Sequence, residues 1–170
     1  MQAIEVFGKG RFISASFTRP ANTTAYASGD VVCNSTSAPT PMVFSRATVT
    51  QGPKFSTIRQ VVVVDSANQT TKLTGELWLF DTTVALDNDN DAFTPTDAEL
   101  ATLIGVVELG TPFVGDATSG ADGNAVYVKS VSIPIETKAA DNAIYGVLIA
   151  RNSYTPVSAE SFTVRLGIED

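Results

Sequence analysis

A chain of 170 residues can enclose one hydrophobic core and bury about 70% of the surface its unfolded form exposes, so folding needs neither metal nor disulfide. Eleven Lys and Arg against 18 Asp and Glu give a formal charge of -7 and a pI near 4.5; a surface like that repels phosphate, and no basic cluster offsets it, which argues against nucleic acid as a partner. Histidine is absent and cysteine occurs once, which excludes Ser-His-Asp and Cys-His catalysis, imidazole-bound zinc and thiolate zinc clusters.

In chain order, residues 1–11 hold no apolar run followed by a small-residue cleavage site, so no signal peptide is expected. Their end, Phe7-Gly8-Lys9-Gly10-Arg11, reads as a loose basic arm suited to an acidic partner surface. Strands are expected at 12–17, 31–33, 43–50, 58–64 and 73–80, where apolar residues alternate with polar ones or run on in short β-branched stretches. Thr96 to Leu103 predicts the one helix, with Thr96 as N-cap and Glu99 completing a capping box. Further strands are expected at 104–109, 126–135, 144–151 and 162–168. The phase change near Lys129 and Ser130 predicts a bulge, and Pro134 an edge position or strand end. The apolar run 144–151 suits a central strand covered on both faces.

Turn signals separate these runs at Gly29-Asp30, Gly52-Pro53, 65–68, 87–91, 115–123 and Asp141-Asn142. The longest aliphatic run, Val61 to Val64, falls far short of the roughly 20 residues a membrane helix requires, so no membrane span is expected and the chain should stay soluble after synthesis in a host cytoplasm. The fold class that follows is all-β: a two-sheet antiparallel sandwich with jelly-roll connectivity and one short helix, forming a single domain over 1–170. Its core should include Leu77, Leu79, Val147, Ile149, Phe162, Val164, Leu166 and Ile168.

Chemistry has few footholds. Cys33 reads as a half-buried structural thiol. The glycine-rich stretch 115–123 lacks a lysine and reads as a hairpin loop, not a phosphate cradle. Asp87-Asn88-Asp89-Asn90-Asp91 resembles the start of a calcium loop, but Ala92 stands where a glycine is needed and Ala98 where a bidentate Glu belongs, so it reads as a solvated acidic turn, with a calcium site of another kind on a β-loop as the alternative. Glu76, Glu108, Glu136 and Glu160 are the candidates for a glycosidase-type pair, yet no spacing pairs them. Trp78 beside Glu76 would suit a sugar-binding face, but its alternation with Phe80 points to packing. No catalytic residue, cofactor-binding residue or metal ligand is therefore assigned.

Three phrases carry a resemblance. Thr18-Arg19-Pro20-Ala21-Asn22-Thr23-Thr24-Ala25-Tyr26-Ala27-Ser28-Gly29-Asp30-Val31-Val32 is similar to "TRPADTTAYAAGDVV" in small virion proteins of tailed bacteriophages. Glu76-Leu77-Trp78-Leu79-Phe80, then Asp91-Ala92-Phe93 and Thr96-Asp97-Ala98-Glu99-Leu100, resembles that group's strand, "DNAAF" and "TDADL" block. Tyr145-Gly146-Val147-Leu148-Ile149 with Tyr154-Thr155-Pro156 looks like its "YGLLVTR-AYTP" block, in the same order. The resemblance implies a non-enzymatic β-sandwich component of a virion. The expectation is a capsid decoration or cement subunit on the outer head, bound to the major capsid protein or other virion proteins as a homo-oligomer, with a trimer favoured. A tail- or fibre-associated subunit and a carbohydrate-binding module are the alternatives. A charged fraction of 17%, against about 25% in an average soluble domain, fits a chain that covers part of its surface with other subunits.

Overall fold

The structure is a computed structural model that describes residues 10–48, 55–114, 124–136 and 142–170. The strands are β1 (Gly10–Thr18), β2 (Val31–Val32), β3 (Met42–Phe44), β4 (Phe55–Asp65), β5 (Gly75–Phe80), β6 (Leu103–Glu108), β7 (Phe113–Val114), β8 (Ala125–Glu136), β9 (Ile144–Ala150) and β10 (Ser161–Glu169), with one helix, α1 (Asp97–Leu100). They form two antiparallel sheets, β1-β10-β4-β8-β7 and β2-β9-β5-β6, with β3 also beside β9. β2 and β3 line the same edge of β9, because β5 occupies the other edge along most of its length. Taking β2 and β3 as one interrupted strand and β7 as an addition leaves first-last-third-sixth facing second-seventh-fourth-fifth. That connectivity is a jelly roll.

Alternation explains which side chains meet between the sheets. Phe162, Val164, Leu166 and Ile168 of β10 point inward and are no more than 2% exposed, opposite Leu77 and Leu79 of β5 and Leu148 of β9. Val147 and Ile149 are buried, as expected of core residues, but on the far side of β9 from Leu148. They pack with Val31, Cys33, Phe80 and Val84 in a second cluster that includes Trp78, Leu86 and Phe93. The long connection from β5 to α1 supplies Val84, Leu86 and Phe93 and covers that outer face. A strand covered on both faces reads as a continuous apolar run, as β9 does.

Local details follow from the residues. Opposite Arg59 of β4, strand β8 carries both Val131 and Ser132, a bulge just beyond the predicted Lys129 and Ser130. Among the described residues β7 pairs with β8 at Val126 and Ala125, so Pro134 lies beyond the stretch of β8 that has an outer neighbour. Thr96 and Glu99 form the capping box, but α1 is shorter than the predicted span and Leu103 already belongs to β6. The strand expected over 43–50 ends at Phe44, because the chain turns there through Arg46 at φ 60°. Gly10 and Arg11 are not part of a loose arm: they pair with Glu169 and Ile168, and Arg11 also bonds Asp170 and the carbonyls of Arg46 and Ala47. The rest of that arm, the Gly52-Pro53 turn, the 115–123 loop and Asp141 lie outside the described residues.

Candidate functional site

Three regions gather the residues singled out in the sequence. The first is the acidic turn, which is not a solvated one. Asp89 is buried, and its carboxylate accepts hydrogen bonds from the Tyr26 hydroxyl (2.5 Å), Arg19 Nη2 (2.9 Å) and the Cys33 amide (3.0 Å). The Arg19 and Asp89 side chains are both 0% exposed. Backbone bonds from Asp89 to Ser35, from Asn90 to Val31 and from Val31 to Asp91 fasten the turn along β2. Asp87 is turned elsewhere, accepting from the Thr94 amide (2.7 Å) and hydroxyl (3.1 Å), while Asp91 accepts from Asn88 (3.1 Å). The aspartates thus answer separate sets of protein donors and do not converge, and among the described residues no three acidic or thiol groups are placed to hold a metal. Burial pushes the Cys33 thiol up to about 11, as suits a structural cysteine beneath this turn.

The second region unites two of the four candidate glutamates. Glu76 of β5 and Glu108 of β6 are direct cross-strand partners on the outer face of the sheet. With Ser28, Thr74 and Arg151 they line an open cleft of about 320 Å³. Glu76 accepts from Arg151 (2.6 Å) and from the Trp78 indole (2.8 Å), and the guanidinium in particular holds its carboxyl below the usual range. Glycoside hydrolysis needs one carboxyl kept protonated opposite an ionised one. Glu160, a carboxyl that burial pushes upward, lies buried outside this cleft. Glu136 is exposed at the end of β8, paired with Phe55. The Trp78 ring lies 6.5 Å from Phe80 and edge-on to Phe93 at 5.7 Å, so it serves packing first.

The third region is a surface that periodicity alone does not reveal. On the outer face of the first sheet, strand register aligns Ser16, Thr163, Val64, Val126 and Phe113 in one row across five strands. The next row is Ser14, Arg165, Val62 and Val128. Phe113 is 69% exposed, and Phe12 and Val128 are also open. Hydroxyl pairs Ser16–Thr163 and Thr18–Ser161, each at 2.9 Å, continue the face toward β1. Arg165 is the one charge in these two rows, and its guanidinium lies over the Phe12 ring at 4.8 Å from the centroid. The signal was present in the sequence as polar-phase valines, but only strand order shows that they adjoin.

No protein-family model matches the chain, and no curated protein matches it.

Proposed function

We propose that this chain is a non-enzymatic structural subunit of a tailed-phage particle, a decoration or cement protein that seats on the outer head and reinforces the shell. The observation that carries the reading is the pair of rows on the outer face of the first sheet, with serine, threonine, valine and phenylalanine in register and Arg165 the one charge in them; the Arg59–Glu169 ion pair lies farther along the same face. A face like this suits extended contact with a capsid protein better than any small-molecule chemistry. The net charge of -7 suits an exterior position, away from packed phosphate, and the phage-like phrases supply the particle. Jelly rolls recur in viral capsid proteins, and repetition over a lattice or in a closed oligomer multiplies a modest contact area.

The test compares heads with and without the protein. Heads lacking it should assemble but burst at lower temperature or under osmotic shock, and attachment should survive raised salt, because screening weakens exposed ion pairs and not apolar contact. Val62→Lys with Val128→Lys should abolish attachment while leaving the purified protein folded. Equal durability of the two particles, or label confined to the tail, would refute the head reading and favour the tail- or fibre-associated alternative. A carbohydrate-binding role is the second reading, favoured by the Glu76, Glu108 and Arg151 cleft. Saccharide binding abolished by Glu108→Ala, with particle durability unaffected by the protein, would establish it instead.

A further inference from the structure

Two carboxyl groups lie buried together where β4 ends and β10 begins. Asp65 is 0% exposed and Glu160 is 2% exposed. Asp65 closes β4 and pairs with Phe162 on one side and Ala125 on the other, and Glu160 is the residue before β10. One oxygen of each has a donor: the Ala67 amide gives its hydrogen to Asp65 Oδ1 (2.7 Å), and the Tyr154 hydroxyl gives its hydrogen to Glu160 Oε1. The other two, Asp65 Oδ2 and Glu160 Oε2, meet no donor. The pairing of Asp65 with Phe162 brings Glu160, two residues earlier, beside it, and the two carboxyl groups act directly on each other. Two ionised carboxylates in that position would repel, and neither could donate to the other. One proton satisfies both orphan oxygens at once, one carboxyl donating and its neighbour accepting.

We propose that Asp65 and Glu160 share a single proton, and that this proton latches the segment before β10 to the end of β4 and releases it when lost. Among the described residues the nearby donors are already engaged: the Gln69 amide gives a hydrogen to the Thr155 carbonyl (3.3 Å). Tyr154 already donates to Glu160, and the Tyr127 hydroxyl donates to the Leu73 carbonyl. The cation that acts on Glu160 is Arg19, whose guanidinium is committed to Asp89 and Tyr26. Burial, reinforced by Asp65, raises Glu160 from 4.5 to about 8, against the smaller opposing pull of Tyr154 and Arg19.

What the latch holds is specific. The Arg19 amide donates to the Glu160 carbonyl (2.8 Å), and Tyr26 and Tyr154 exchange backbone hydrogen bonds and stack at 6.0 Å. Freeing Glu160 therefore loosens the segment that carries Arg19 and Tyr26, the two side chains that grip Asp89. The unfolded or opened chain gives up this proton near 4.5 and the closed chain keeps it to about 8. Stability from the latch is thus complete below the lower value and is lost as pH rises through the higher one. This inference rests on the fold alone and stands or falls separately from any role in a virion.

Carboxyl carbon resonances of the labelled wild-type protein test it directly. A glutamate that remains protonated at neutral pH, titrates near pH 8 and disappears in Glu160→Gln is the expected result. The opening constant read from exchange of the Tyr26 and Tyr154 amides, corrected for the intrinsic rate, should rise about tenfold per pH unit and level off above about pH 8, as release of one proton requires. In Glu160→Gln, whose amide can donate to Asp65 without titrating, that slope should vanish. If every carboxyl of the wild type is ionised at neutral pH, the proposal fails, whatever the variant does. It also fails if calcium raises the melting temperature at alkaline pH and a chelator reverses the gain, since a cation would then occupy the place of the proton.

Discussion

Replacing Asp89 with alanine removes the acceptor on which three buried donors converge. The Arg19 guanidinium, 0% exposed, keeps its charge and loses its carboxylate, while the Tyr26 hydroxyl and the Cys33 amide lose an acceptor. Breaking a buried pair from one side costs about 3–5 kcal/mol, most of it the uncompensated charge left behind. In a chain of this length each kcal/mol moves the melting temperature by about 2–4 °C, so the expected fall is about 6–20 °C. Thermal and urea unfolding of wild type, Asp89→Ala and Asp89→Asn measure it, with the asparagine variant losing less because one acceptor oxygen remains. Combining Asp89→Ala with Arg19→Met should recover part of the loss by removing the stranded charge. A deficit below about 1 kcal/mol, the range of an exposed surface pair, would refute the view of this turn as a buried clasp.

Leu166→Ala, in a fully buried position between the sheets, should cost about 2–5 kcal/mol in urea unfolding. The Arg151–Glu76 pair is partly exposed, so Arg151→Ala should cost under about 1 kcal/mol. That difference from wild type should fade as falling pH protonates Glu76, whose depressed pKa makes its contribution complete above the ordinary carboxyl value and lost as pH falls through the depressed one. Cys33 should react with an aromatic disulfide reagent far more slowly in the native protein than in urea, because the thiol is buried and titrates only toward about 11.

Much of the fold is legible in residue order because short-range periodicity carries it. Phe162, Val164, Leu166 and Ile168 alternate with polar neighbours, and that period of two puts one side of a strand in a core wherever the strand lies. Thr96 and Glu99 likewise define their capping box within a single turn, through bonds that tertiary context cannot redirect. The absence of histidine is a fact of composition, and it removes whole classes of catalysis before any coordinate is considered.

Other features depend on which strands become neighbours. Val147 and Ile149 are apolar whichever face they take, so only the covering segment with Val84, Leu86 and Phe93 decides that they form a second cluster. Asp89 reads as solvated beside Asn88 and Asn90, and becomes a buried clasp because Arg19 and Tyr26, about 60 to 70 residues away in sequence, fold over it. Glu76 and Glu108 meet through the register of β5 with β6, and Asp65 and Glu160 through that of β4 with β10. The same holds for the rows around Arg165, whose valines come from β4 and β8 and whose hydroxyls come from β1 and β10. Periodicity reports which side of a strand faces inward, but long-range pairing decides which side chains share a surface, and the energies of burial and charge act only once that pairing exists.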